Sequence, residues 1–555
     1  MSITDVARDW AAHDPDPETA AYVLDILEDP ARAAELQSRF SGPLTFGTAG
    51  LRGEVGAGES RMNRAVVTRA TYGLMDWLGR QVERPRVVIG CDARHGSSDF
   101  YTTAAEVISA AGGTALLLPP CLPTPVTAFA VRALHADAGI MITASHNPRT
   151  DNGYKVYLGG RVATGVADGV QIVPPADAEI MACITEAPPA DQIARDASRL
   201  EKVDVLPAYL EEVTRLSNSL RDVRIVLTAM HGIGGEVARQ ALNLAGFNDV
   251  HVVEEQFAPN PDFPTVAFPN PDFPTVAFPN PEEPGALDLA IALARDVNAD
   301  LILALDPDAD RCAVAIPTGQ GNWRQLSGDE TGCLLGDYVA GRIGGGGVGV
   351  GVLASSIVSS RLLGAIAADH GLEHRATLTG FKWIARVPDL VFGYEEAIGY
   401  CCDPAHVRDK DGITAAVTMA LLVDNLRIDG RSIQDVLDSF ADRFGLHATA
   451  PVTFRVEDVS LISAAMQQLR STAPTELAGS EVVSVIDLGE GYNGLPPTDG
   501  LILLTAANDR VIIRPSGTEP KLKCYLEVIL PGGTWEEARK RLDAISEELR
   551  EVIGL

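Results

Sequence analysis

The chain has 555 residues, which at ~150 residues per domain corresponds to three or four domains. Asp plus Glu (75) outnumber Lys plus Arg (45), a formal net charge of -30, so general nucleic-acid and membrane-surface binding are excluded as partners. Hydrophobic residues make up 46% and charged residues 22%, too apolar for disorder, and any anionic substrate needs a locally positive pocket or a metal.

Met1 to Trp10 carries Asp5, Arg8 and Asp9 and no apolar run, so it does not read as a signal peptide. Residues 1–40 read as a helical lead-in, with Ala21, Leu24, Leu27 and Ala34 at helical spacing. Strands are predicted at Arg86–Gly90, Ala115–Leu118 and Ala138–Thr143, with a helix from about Ser98 to Ala111. The alternation resumes with strands at Val223–Ala229, His251–Glu254, Asp300–Leu305 and Gly347–Ala354, and a helix after Gly234. That pattern argues for α/β units on largely parallel sheets. From about Gly445 closely spaced strands follow (Val452–Val456, Glu481–Ile486, Leu501–Leu504, Arg510–Arg514, Lys523–Val528), with helices near Leu461–Arg470 and Trp535–Val552. This reads as a separate α+β domain.

Eight cysteines form no CxxC pair and read as buried thiols of a cytoplasmic protein. The uncharged run Ile343–Ser360 is rich in Gly and Ser and reads as a hinge feeding a strand, not a membrane span. Pro261–Asn270 (PDFPTVAFPN) is repeated unchanged at Pro271–Asn280. It reads as a duplicated segment lengthening one surface loop, with a Pro-rich ligand for a partner as the alternative.

Five segments carry chemistry. Thr143-Ala-Ser145-His146-Asn-Pro148 ends an apolar strand, with Lys155 shortly after: a serine beside a histidine and near a lysine has the makings of an activated nucleophile. Asp306-Pro-Asp308-Ala-Asp310-Arg311 crowds three carboxylates, which costs energy unless a cation sits among them; hard oxygen ligands suit Mg²⁺. It is no EF-hand, since Arg311 and Pro317 stand where the loop glycine and closing glutamate belong. Phe46-Gly-Thr-Ala-Gly-Leu-Arg52-Gly53 offers glycines and a counter-charge for an anion. Arg514-Pro-Ser516-Gly517-Thr518-Glu-Pro-Lys521 offers a guanidinium fork and hydroxyls suited to phosphate. Gly393-Tyr-Glu395-Glu396-Ala397-Ile-Gly399 supplies acidic acceptors for sugar hydroxyls. Met230–Val237 imitates G-x-G-x-x-G but has Val237 for the last glycine, and no Gly-Lys pair exists for a nucleotide-binding P-loop.

In this order the five segments resemble the α-D-phosphohexomutase superfamily, which includes phosphoglucomutases, phosphomannomutases and phosphopentomutases, over roughly residues 40–530. The resemblance implies an α/β protein of four domains around a central cleft. Three are mixed-sheet α/β domains (41–210, 211–325 and 326–445) and the fourth is a smaller α+β domain (446–555), after the 1–40 lead-in. It implies a phosphorylated Ser145 as phosphoryl donor, with Mg²⁺ on Ser145, Asp306, Asp308 and Asp310. Lys155 would be the general acid/base, which calls for a depressed pKa. Arg52, His146, Arg311 and Lys382 would surround the transferring phosphate. Arg514, Ser516, Gly517 and Thr518 would grip the other phosphate, and Glu395 and Glu396 the sugar. The phosphate would move between the 1- and 6-positions of mannose or glucose phosphate through a bisphosphorylated sugar that also serves as activator. One departure stands out: Ala397 occupies a position where hexose-specific members usually carry serine, so a phosphopentomutase acting on ribose or deoxyribose phosphate is the rival. Two further alternatives are a catalytically dead sugar-phosphate binder and a phosphohydrolase using Asp306 as nucleophile.

Overall fold

The computed structural model describes residues 2–46, 50–215, 221–265, 278–343, 351–456, 458, 460–516 and 521–554. Several predicted features lie outside the described residues: Gly47–Ala49 of the first glycine loop, Gly517 and Thr518, 266–277 of the tandem segment, and 344–350, where the strand from Gly347 was expected to start. The chain divides into two compact units, Met1–Gln325 with Gly399–Asp424, and Leu326–Ile398 with Asn425–Leu555.

The first unit begins with helices α1 (Ile3–Ala12), α2 (Pro17–Glu28) and α3 (Ala33–Arg39). They are helical as expected, but the buried stripe is a different one. Val23, Ile26 and Leu36 close on Ala7, Ala11 and Phe40, while Ala21, Leu24 and Ala34 face solvent. Leu27 of the expected face packs partly buried against this cluster.

Strands β1 (Leu51–Glu54), β2 (Arg86–Cys91), β3 (Thr114–Leu117), β4 (Ala138–Ile142), β5 (Asp151–Leu158), β6 (Val170–Gln171) and β7 (Leu200–Lys202) form a seven-stranded sheet. Its order is β1-β5-β4-β2-β3-β7, with β6 on β5. Helices α4 (Arg64–Gly79) and α5 (Ser97–Ala110) supply Val67, Leu74, Phe100 and Ile108 to the core beneath Val87, Ile89 and Ile140. The sheet is mixed, as the family resemblance implies, and not largely parallel as the strand alternation alone suggested: β4 is parallel to β2, but β5 runs antiparallel to both β4 and β1. The loop 143–150 is too short for a parallel crossover, so the chain turns straight back.

The second sheet comprises β8 (Ile225–Thr228), β9 (Val250–Val252), β10 (Leu301–Leu305), β11 (Cys312–Gly319) and β12 (Asn322–Gln325). Its order is β12-β11-β10-β8-β9, with β8 parallel to β9 and β10 and the other pairs antiparallel. Every residue of β10 is buried, as befits a strand covered on both faces.

In the second unit β13 (Val352–Ser356) lies between β14 (Glu373–Thr377) and β15 (Leu390–Glu395), all parallel. The next strand, β16 (Gly399–Cys401), belongs to the first unit. Strands β17 (Leu446–Arg455), β18 (Glu476–Leu477), β19 (Ser480–Asp487), β20 (Leu501–Thr505), β21 (Arg510–Pro515) and β22 (Lys521–Leu530) make an antiparallel sheet in the order β17-β22-β21-β20-β19-β18. The helices Ser460–Ser471 and Trp535–Ile553 cover one face; Ile357 and Val358 pack with Leu488, Ile502 and Ile512 on the other. The same junction is pinned by Glu527, 1% exposed, which accepts from the Ser360 hydroxyl at 2.8 Å and from Arg361 Nε at 2.6 Å, and pairs with Arg510 at 3.1 Å. No described helix is long and apolar enough to cross a membrane.

Candidate active site

Two loops meet in the first unit, each leaving the C-terminal end of an apolar strand that has a parallel neighbour, where open α/β sheets place ligands. After β10, Asp306, Asp308 and Asp310 are each 0% exposed, and their carboxylates approach within 4.8 Å of one another. Ala309 adopts φ +57°, reversing the chain between Asp308 and Asp310. The Arg311 amide donates to Asp306 Oδ1 at 3.0 Å and the Thr124 hydroxyl to Asp308 Oδ2 at 2.6 Å. Burial pushes the Asp306 carboxyl well above its usual range, and the charges of Asp308 and Asp310 push the same way.

After β4, Ser145 is buried with φ +52°, a left-handed conformation that costs a non-glycine residue about 1 kcal/mol and marks a loop held by its surroundings. Its amide donates to Thr143 Oγ1 at 2.9 Å, and its hydroxyl donates to Asp306 Oδ2 at 2.7 Å. His146 Nδ1 lies 3.3 Å from the same hydroxyl; burial, then Arg311 and Arg52, hold the imidazole well below its usual pKa. Behind the loop, the buried Arg94 guanidinium donates to the carbonyls of Ser145 (2.6 Å), Asn147 (2.7 Å), Pro148 (2.7 Å) and Asp151 (3.1 Å).

Four cations surround the carboxylates. On β5, Lys155 is 1% exposed and its ammonium donates to Asp308 Oδ2 and Asp310 Oδ2, both at 2.8 Å. Lys410 pairs with Asp310 at 3.2 Å, and Arg311 Nε stands 3.8 Å from the same residue. Arg52, on β1 opposite Gly153, donates to Asn147 Oδ1 at 3.1 Å. The expectation of a depressed pKa for Lys155 is overturned. Burial pulls it down, but Asp308 and Asp310 outweigh burial and hold it above the usual lysine range.

The trio fits a hard divalent cation. Asp308 Oδ1 and Asp310 Oδ1 are buried oxygens that accept no hydrogen bond, and the Ser145 hydroxyl adjoins them through Asp306. Buried carboxylate oxygens without donors are costly unless a cation takes the place of the missing partners.

The remaining predicted residues lie in the second unit. Glu395 ends β15, and Glu396 accepts from the hydroxyls of Ser356 (2.9 Å) and Ser359 (3.3 Å). Arg514 is on β21 beside Lys523 of β22, and the Ser516 amide closes the hairpin on the Lys521 carbonyl at 2.8 Å. Tyr525 connects these groups: burial and the neighbouring Glu396 raise its pKa, while Arg514 opposes them. Lys382 lies in the short helix Phe381–Ile384.

The false dinucleotide motif has a packing explanation. A Cβ on Gly232 would lie 2.4 Å from Pro307 Cα, and one on Gly234 2.5 Å from Ala309 Cβ, so both glycines admit the acidic loop. Sequence reasoning missed Arg94, Thr124 and Lys410, which act across 51 to 184 positions or sit in loops without a recognisable motif.

Comparison with known proteins identifies the family. The family descriptions for phosphoglucomutase/phosphomannomutase match in order: alpha/beta/alpha domain I over 43–190, domain II over 207–273 and 267–319, domain III over 327–444, and the C-terminal domain over 492–543. A probable phosphomannomutase of Haemophilus influenzae is 43% identical, covering 89% of this chain and 98% of its own. A probable phosphoribomutase of Schizosaccharomyces pombe is 33% identical, covering 99% and 97%. The crystal structure of a putative phosphomannomutase from Thermus thermophilus shares the fold, with a TM-score of 0.70 at 23% identity over 93% of this chain and 100% of that one. The chain belongs to the phosphoglucomutase/phosphomannomutase family within the α-D-phosphohexomutase superfamily, and is an enzyme of the phosphomutase type.

Proposed function

We propose that the protein moves a phosphoryl group between the 1- and 6-positions of a hexose monophosphate, mannose or glucose, through a phosphorylated Ser145 and a bisphosphorylated sugar. The observation that carries this reading is the hydroxyl of Ser145 donating to Asp306 inside a buried trio of carboxylates. The phosphomannomutase relative at 43% identity supports the hexose. Asp306, Asp308 and Asp310 would hold Mg²⁺, which when bound neutralises negative charge at the reacting phosphate. Ser145 carries the phosphoryl group. The bond from its Oγ to phosphorus breaks as the sugar oxygen bonds to phosphorus, and the proton given up by the sugar hydroxyl balances the one that the freed Ser145 Oγ takes up to become a hydroxyl again. Lys155, between the acidic trio and Arg52, is the residue proposed to exchange that proton; it can accept it only as the neutral amine, which Asp308 and Asp310 disfavour unless a bound cation takes up their charge. Arg52, His146, Arg311 and Lys382 contact the moving phosphate. Arg514, Ser516, Gly517 and Thr518 hold the second phosphate, and Glu395 and Glu396 the sugar hydroxyls. After the bisphosphate turns over, its other phosphate returns to Ser145, with the same bonds made and broken in reverse.

A second reading, transfer between positions 1 and 5 of ribose or deoxyribose, is favoured by Ala397 in the sugar loop and by the phosphoribomutase relative. Rates with glucose, mannose, ribose and deoxyribose 1-phosphates in the presence of Mg²⁺ and a trace of sugar bisphosphate separate the two. Faster turnover of a hexose supports the first reading, and faster turnover of a pentose replaces it with the second. Release of inorganic phosphate that survives Ser145→Ala would overturn both in favour of a phosphohydrolase.

A further inference from the structure

Asp92 is a buried carboxylate, 3% exposed, that the proposed chemistry does not use. It follows β2, and its amide donates at 2.9 Å to the carbonyl of Ile142, the last residue of the strand that leads into the Ser145 loop. Its Oδ1 accepts from the Arg94 amide at 2.9 Å and from the Ser97 hydroxyl at 2.5 Å. Its Oδ2 faces Arg94 Nε at 3.5 Å, an ion pair between two side chains shut off from water. Burial pulls the Arg94 guanidinium below its usual range, and Asp92, ahead of Asp308 and Asp151, opposes that pull.

From this pair two connections reach the serine loop. Arg94 Nη2 donates to the carbonyls of Ser145 (2.6 Å) and Asn147 (2.7 Å), and Nη1 to those of Pro148 (2.7 Å) and Asp151 (3.1 Å). Ser97 Oγ accepts from Asn152 Nδ2 at 2.8 Å, and Asn152 Oδ1 accepts from the Gly153 amide at 2.7 Å, opposite Arg52 on β1. One carboxylate therefore meets the strand before the loop, the loop itself and the strand after it. A planar guanidinium can fix several carbonyls at once, which the single nitrogen of a lysine cannot. The loop has a use for such a hold, because Ser145 sits at φ +52°.

We propose that Asp92 and Arg94 are positioning residues: Asp92 fixes the guanidinium, and the guanidinium holds Ser145 in the left-handed conformation that brings its hydroxyl to Asp306. Hydrogen–deuterium exchange reads the loop without reference to activity. Asp92→Asn keeps the shape of the side chain and the Oδ1 acceptor but removes the charge facing Arg94 Nε. Arg94→Lys keeps the cation and removes the fork. In both variants peptides spanning 143–153 are expected to exchange faster than in the wild-type protein, with peptides spanning β2 and β4 unchanged. Unchanged exchange over 143–153 overturns the proposal, and so does faster exchange spread over the whole first sheet. If Arg94→Lys does not fold, the exchange of Asp92→Asn decides alone.

The effect on turnover rests on the reading of Ser145 as phosphoryl carrier. Arg94→Lys is expected to lower kcat on the order of 10²-fold with KM unchanged, and Asp92→Asn to lower it less. Asp92→Asn leaves the Ser97 bond in place and acts through Arg94, so the double variant D92N/R94K should be no slower than R94K. A wild-type kcat in Arg94→Lys, or a double variant that loses the product of the two single losses, overturns the positioning role. A loop that loosens in the variants of a protein without mutase turnover would sink the mutase reading and leave the hold on the loop standing.

Discussion

The hydroxyl of Ser145 and the carboxylate of Asp306, 161 positions apart in sequence, meet at 2.7 Å with both side chains buried. This contact joins the first sheet to the second and puts the nucleophile candidate at the edge of the acidic trio. Ser145→Ala is expected to lower turnover by at least ~10³-fold while leaving the fold intact, since one hydrogen bond contributes only about 1 kcal/mol. The φ of +52° adds a second expectation: Ser145→Gly should be more stable than Ser145→Ala by about 1 kcal/mol, because glycine occupies that conformation without strain. Denaturant melts of the two variants check the order, and a more stable alanine variant would show that the loop relaxes out of the left-handed region.

Much of this site was legible in the sequence because its motifs follow apolar strands. Leu301–Leu305 announces a buried strand, and the acidic run after it is difficult to accommodate without a cation. What was not legible is long-range. Lys155 was visible as a lysine near a serine, but its partners Asp308 and Asp310 lie 153 and 155 positions away, and they reverse the expected direction of its pKa. Strand β5 escaped notice because Asp151, Asn152 and Lys155 make it look like a polar loop, although all but its first residue are buried. Its polar groups are tolerated because they are paired: Asn152 bonds Ser97 at 2.8 Å and Lys155 the carboxylates.

The two oxygens on Asp308 and Asp310 that accept no hydrogen bond predict how the protein responds to a divalent cation. A cation that binds only the folded state stabilises it by about 2.7 kcal/mol at 100 times its Kd. Adding Mg²⁺ should therefore raise the thermal midpoint of the wild-type protein, and chelation should reverse the shift. In Asp308→Asn the shift should shrink markedly, since one ligand loses its charge. An equal shift in the variant would place the cation elsewhere.

Glu527 governs a different response, at acid pH in the second unit. Burial alone would raise its carboxyl, but Arg510, the His447 hydrogen bond and Arg361 outweigh burial and hold it below the ordinary value of 4.5. A depressed carboxyl contributes stability that is fully present above pH 4.5 and is lost as pH falls towards the folded-state value. Glu527→Gln should cost about 3 kcal/mol at neutral pH, because it leaves Arg361 and Arg510 facing a neutral group at a packed junction. It should also flatten the stability profile below pH 4.5 relative to wild type. Parallel acid limbs in the two proteins would mean that other carboxylates set the acid sensitivity.

Ala397 stands directly after the acidic pair of the sugar loop, before Ile398 at φ +54° and Gly399. If Glu395 and Glu396 hold sugar hydroxyls, a serine at 397 adds one donor beside them without enlarging the backbone. A hydrogen bond made to substrate in the transition state is worth roughly 1 kcal/mol, equivalent to about five-fold in kcat/KM. Ala397→Ser should therefore raise the ratio of hexose to pentose turnover by about that factor. A general loss on both sugars would instead indicate that the hydroxyl perturbs the Glu396 contacts with Ser356 and Ser359, which hold the loop in place. The two effects separate cleanly, because loop disturbance lowers both rates together and leaves their ratio unchanged, whereas an added sugar contact moves the ratio.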